Sequence, residues 1–112
     1  MKSDLGTRHC ASCEGIGVAL TLEQIKNLMP QLANEWQVSK DHTEIKRSFA
    51  FTNFYETMAF VNAIAWIANV ENHHPDLEVG YNYCHVRFST HALHGLSQND
   101  FICAAKIDQL LL

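Results

Sequence analysis

The stretch from Asn53 to Pro75 constrains this chain most. Asn53 with Glu56 three residues on is a helix start. Phe54, Met58, Val61, Ala65 and Ala68 then follow at spacings of four, three, four and three, the period of an amphipathic helix. If it reaches Asn72, the helix is about 30 Å long. Pro75 ends it at or before His74, because the residue before a proline is pushed toward extended conformations. A chain of 112 residues makes one domain. One helix of that length sets the length of the core, and the other elements must lie along it. The apolar stripe is expected to be core rather than a cofactor box.

The flanking segments supply those elements. Thr21 and Gln24 form a capping box, and Leu22, Ile25, Leu28 and Met29 share a helical face before Pro30. Trp36 to Val38 reads as a short strand, and Lys40-Asp41-His42 as a polar turn. From Glu44 to Phe51 the chain alternates, with Ile45, Phe49 and Phe51 on one side, although Arg47 interrupts that face. A hairpin is expected after Pro75, turning near Gly80 to Tyr83, with Cys84, Val86 and Phe88 on one face of its second arm. Ser97 to Asp100 opens a last helix carrying Phe101, Ala104, Ala105 and Asp108. The order helix, two strands, helix, two strands, helix predicts an α+β domain: a four-stranded antiparallel sheet with helices packed on one face. That domain spans residues 21–112. Residues 1–20, with Gly6, Gly15 and Gly17 and no sustained period, read as a flexible leader.

Composition excludes several function classes. Net charge is −4 and the eight Lys and Arg are scattered, which argues against nucleic acid as a partner. No apolar run approaches the roughly 20 residues of a membrane span, and no secretory signal is visible. A cytoplasmic location follows as an expectation, with the four cysteines as thiols. Cys84 and Cys103 read as small buried apolar residues. Cys10-x-x-Cys13, preceded by His9, has the spacing of a metal or redox pair. No second Cys pair follows and no strand–helix junction surrounds it, so incidental thiols are the expectation.

The seven histidines are the unusual component. Protonating all of them would reverse the sign of the net charge. His73-His74-Pro75 lies where the long helix gives way to a strand, and His91 just past the last strand, positions where a rigid scaffold presents side chains. Metal ligation, acid–base catalysis and inert surface placement are the three explanations. His91-x-x-His94 has helical spacing, but no His-Glu-x-x-His pattern is present. Imidazole both gives and takes protons near neutrality, which suits acid–base work. His9, His42, His85 and His94 are expected to be incidental.

Asn72-His73-His74-Pro75, Tyr81-Asn82, Ser89-Thr90-His91 and Gly95-Leu96-Ser97-x-x-Asp100 together resemble the pterin-4a-carbinolamine dehydratase family. The match runs from about Thr21 to Leu110, with Trp36 and Phe49-x-Phe51-x-x-Phe54 in register. The leader is similar to those of bacterial members associated with phenylalanine hydroxylase. The resemblance implies dehydration of 4a-hydroxytetrahydropterin to quinonoid dihydropterin, which recycles the cofactor of aromatic amino-acid hydroxylases without a metal or cofactor. It implies His73, His74 and His91 as the catalytic histidines. Pterin binding would involve main chain around Pro75 and Thr90 to Ala92, and Asp100, which equally suits a helix cap. It also implies a homodimer or homotetramer. Some members carry Glu four residues before the first histidine; here that position is Asn69 and the nearest carboxylate is Glu71. Other roles in this fold class are dimerisation of a transcription factor and accessory work in pterin metabolism.

Overall fold

The computed structural model describes residues 4–12 and 16–111. Helix α1 spans Leu22–Leu28, capped by Thr21 and Gln24 in the expected reciprocal box. Strand β1 is Gln37–Val38 and β2 is Ile45–Ala50. Helix α2 is Phe54–Glu71, with the Asn53 side chain accepting the Glu56 amide. Strands β3 (Asp76–Val79) and β4 (Tyr83–Phe88) form the hairpin, and α3 spans Gln98–Gln109. The four strands form one antiparallel sheet in the order β1-β2-β4-β3. The α+β architecture read from the sequence is the one observed.

Alternation decides which sheet face is covered. Ile45, Phe49, Cys84, Val86 and Phe88 are buried and join Trp36, Phe60, Ile64 and Phe101 in the core. Thr57, in the first turn of α2, donates its hydroxyl to Asn53 O and to Tyr81 O, each at 2.9 Å. That pins the start of α2 to the hairpin turn, so the helix and the β3–β4 arm keep a fixed relation. Arg47 does sit on the apolar face of β2, and the structure shows why it is tolerated. Its guanidinium lies 4.3 Å from the Phe49 ring centroid and reaches Asp108.

Two expectations need correction. The core face of α2 is Thr57, Phe60, Ile64 and Glu71, not the stripe through Phe54 and Ala65; Phe54 is 48% exposed. Apolar residues occur all round this helix, so spacing alone does not choose the buried side. The described part of the leader is also packed on the domain. A 3-10 turn at Leu5–Thr7 lies against α3, and Leu5 is fully buried. Lys106 Nζ donates to Gly6 O at 3.0 Å, and the Asn99 amide both accepts from Ala11 N and donates to Ala11 O. We expect Leu5→Ala to destabilise the protein by about 2–3 kcal/mol in urea unfolding, the low end for a buried leucine. A loss below roughly 0.5 kcal/mol, as at surface sites, would show that the leader contributes little to the core.

Candidate active site

Helix α2 ends on Asn72, whose left-handed conformation (φ 52°, ψ 42°) turns the chain out of the helix. Asparagine is one of the few side chains that visits this region readily. The His73 amide still bonds to Ala68 O at 3.2 Å, and Pro75 then commits the chain to β3. This corner turns the His73 ring inward. The ring lies nearly parallel to Phe88, with centroids 6.0 Å apart, and its side chain is only 10% exposed.

Asp100 meets it there. His73 Nε2 is 2.6 Å from Asp100 Oδ1, and the Asp100 side chain is fully buried. The other carboxylate oxygen accepts from Thr90 Oγ1 at 2.8 Å and from the Ser97 amide at 2.9 Å. Because the Thr90 hydroxyl spends its proton on Asp100, the Ser97 hydroxyl is the donor in the 2.7 Å contact between Oγ atoms. A carboxylate accepts only, so Nε2–H of His73 donates to it. The ring is thereby held by Nε2, and Nδ1 takes no part in that contact. Asp100 thus serves two elements: it closes the capping box of α3 and it orients His73. The sequence shows the first role; the second depends on the corner at Asn72.

The remaining expected residues are placed differently. His74 is exposed and Pro75 half-buried. Thr90 is buried, with its amide committed to Gly95 O at 2.8 Å. A 3-10 turn at His91–Leu93 follows, and its exposed residues His91 and Ala92 are the side of this loop open to a ligand. His91 Nε2 lies 3.9 Å from Asp76 Oδ2, with its side chain 75% exposed. His73 lines a cleft of about 470 Å³ with Cys10, Glu71, Asn72 and Asn99. His91 instead lines a hollow of about 240 Å³ with His94, Thr43 and Ser89. The structure therefore joins His73, Asp100 and Thr90 directly. His91 follows Thr90 in the chain, but its side chain meets Asp76, at the start of β3, and lines a separate hollow from His73.

Glu71 and His9 were not expected to interact. His9 Nδ1 lies 2.9 Å from Glu71 Oε2, and the Cys10 amide donates to Oε1 at 2.7 Å. Glu71 therefore ties the leader down rather than polarising His73. Burial by itself would raise the Glu71 carboxyl, but the Cys10 amide, His9 and Lys106 outweigh it and hold it below its ordinary value. A depressed carboxyl stabilises the docked leader above its ordinary pKa of 4.5, and that stability is lost as pH falls through the lowered value. We expect hydrogen-exchange protection of the Cys10 amide to fall on acidification in that range. Glu71→Gln should remove the pH dependence; a dependence that survives the substitution would assign it elsewhere.

Residues 18–110 match the family model described as pterin 4 alpha carbinolamine dehydratase. The chain belongs to this family. A relative from Legionella pneumophila (strain Lens), with the provisional name pterin-4-alpha-carbinolamine dehydratase, is 74% identical over 112 residues, covering 100% of this chain and 99% of its own. A crystal structure of a transcriptional coactivator/pterin dehydratase from Brucella melitensis superposes with a TM-score of 0.77 at 28% identity, over 82% of this chain and 97% of that one. A pterin dehydratase-like RuBisCO assembly factor of the alpha-carboxysome shares the fold, with a TM-score of 0.60 at 23% identity over 69% and 89% of the two chains. The dehydratase family match includes the whole His73–Asp100 corner and omits most of the leader. The leader contacts described above therefore lie largely outside what the family model describes. Among the described residues, no helix is long and apolar enough to cross a membrane.

Proposed function

We propose that the protein dehydrates 4a-hydroxytetrahydropterin to quinonoid dihydropterin and water. The observation that carries this reading is the buried His73–Asp100 pair, set at the corner that carries His74 and bonded through Asp100 to Thr90, which precedes His91. In the reaction the C4a hydroxyl leaves with a proton and N5 gives one up, so a donor and an acceptor are needed on one pterin. His73 delivers the proton to the departing hydroxyl from Nδ1, and Asp100 stabilises the imidazolium that carries it. His74 orients the pterin and shares in proton transfer, and His91 approaches the other side of the ring and accepts the N5 proton. Main chain at Pro75, and at His91 and Ala92 beyond the buried Thr90, meets the amide-like edge of the pterin. Asp100 acts here as the positioning residue of His73. Acid–base groups of this kind contribute roughly 10²- to 10⁴-fold each.

On this reading the substrate comes from an aromatic amino-acid hydroxylase such as phenylalanine hydroxylase, the protein works in the cytoplasm, and neither nucleic acid nor membrane is a partner. A homodimer or dimer of dimers fits the exposed row of Tyr55, Trp66 and Val70 along the outer side of α2, an apolar strip that a second copy would cover. Light scattering checks the assembly.

Stopped-flow decay of freshly generated 4a-hydroxytetrahydropterin tests the activity. The protein should accelerate the decay at least tenfold over the spontaneous rate, and a chelator should leave the acceleration intact. No acceleration, together with stable capture of a heterologous partner, would favour the coactivator role named for the Brucella protein. Loss on chelation that zinc restores would favour a metal site instead.

A further inference from the structure

Cys10 and Cys103 are 93 positions apart in the chain, yet their sulfurs lie 3.6 Å from each other. Each thiol has a backbone carbonyl within reach: Asn99 O at 3.7 Å for Cys10, and His73 O at 3.9 Å for Cys103. Cys10 is half-buried and lines the cleft beside His73, so a small oxidant can reach it. Cys103 is fully buried. The leader that carries Cys10 is held in place by Glu71 and Asn99 on either side of the sulfur contact.

We propose that Cys10 and Cys103 form a reversible disulfide under peroxide stress, which fastens the leader to α3 along the wall of the His73 cleft. Closing the bond requires the sulfurs to approach from 3.6 Å to about 2.05 Å, a shift within reach of side-chain rotation at the end of a short leader segment.

The chemistry balances with one hydrogen peroxide. The Cys10 thiolate attacks one peroxide oxygen, the O–O bond breaks, and the released hydroxide takes up the thiol proton as water. Cys10 is then a sulfenic acid. The Cys103 sulfur attacks the Cys10 sulfur, the S–OH bond breaks, and the leaving hydroxide takes the Cys103 proton as a second water. Two thiols are oxidised, one peroxide is reduced, and nothing else is consumed. Cys10 faces the cleft while Cys103 is fully buried, so the oxidant meets Cys10 first and Cys103, already 3.6 Å away, acts as the resolving partner.

The test uses the full chain treated with hydrogen peroxide, denatured in an alkylating agent and mapped by peptide mass spectrometry. The expected product is a Cys10–Cys103 linked peptide pair, lighter by two hydrogens and released by dithiothreitol. Cys13→Ser should keep the link, and Cys103→Ser should leave a dimedone-trappable sulfenic acid on Cys10. The oxidised protein should unfold at a higher midpoint than the reduced one. A Cys10–Cys13 link as the only product, or Cys103 fully alkylated after peroxide treatment of the wild type, would overturn the proposal. The wild-type map stands even if the Cys103 variant does not fold.

Discussion

Replacing Asp100 by asparagine is expected to lower kcat for pterin dehydration by about 10²- to 10⁴-fold, the range for a general acid–base group, while the circular dichroism spectrum stays native. The substitution keeps the shape of the side chain. Its amide oxygen can still accept from the Ser97 amide and the Thr90 hydroxyl, the two bonds made by Oδ2. The amide nitrogen then faces His73 Nε2, where Oδ1 now lies at 2.6 Å. Two donors cannot share that contact, so His73 must turn its Nε2 lone pair to the amide and carry its proton on Nδ1. Delivering that Nδ1 proton would then leave an imidazolate, and no negative charge remains to stabilise the imidazolium that should carry it. A purely structural role for Asp100 predicts the opposite pattern: lost stability with kcat per folded molecule unchanged. The NMR-determined His73 tautomer distinguishes the two directly.

The second large effect is expected at the other end of α3. Asp108 accepts from Arg47 Nη1, from Trp36 Nε1 at 2.8 Å and from the Ala33 amide at 3.0 Å. It joins β2, the segment before β1 and α3 at one point. Asp108→Ala leaves Arg47, only 14% exposed, without its main counter-charge and removes the acceptor of the Trp36 indole. Breaking one side of a largely buried pair costs about 3–5 kcal/mol; because both partners keep some solvent contact, about 3 kcal/mol is expected in urea unfolding. Asp108 lies eight residues beyond Asp100, about 12 Å along the helix axis. Activity per folded molecule should therefore be preserved, which separates this variant from Asp100→Asn. A loss under roughly 1 kcal/mol would mean that Glu35, 4.0 Å from Arg47, takes over the charge.

Much of this architecture is legible in the sequence because strong local signals carry it. The alternation in β2 and β4, the caps at Thr21, Asn53 and Ser97, and Pro75 each depend on residues close in the chain. The buried side of α2 is not legible in this way. Tyr55, Trp66 and Val70 are large and largely apolar, as Phe60 and Ile64 are, and only the packed sheet decides which set is covered. The leader shows the same limit more sharply. One leucine without a periodic neighbour carries no signal, and Glu71, Asn99 and Lys106, the partners of Cys10, Ala11 and Gly6, lie 61 to 100 positions away. At the site, His73, His91 and Asp100 stand out by type and spacing. That Asp100 bonds to His73 while capping α3 needs the tertiary fold, as does the capture of Glu71 by His9.

On the proposed mechanism His73, held by Asp100, moves the proton of the departing hydroxyl. The most direct measurement is stopped-flow decay of freshly generated 4a-hydroxytetrahydropterin with wild type, His73→Ala and His91→Ala at matched concentrations of folded protein. The expected result is clear acceleration by the wild type and a kcat at least tenfold lower in each variant, with His73→Ala the slower. Both variants turning over at the wild-type rate would contradict the claim.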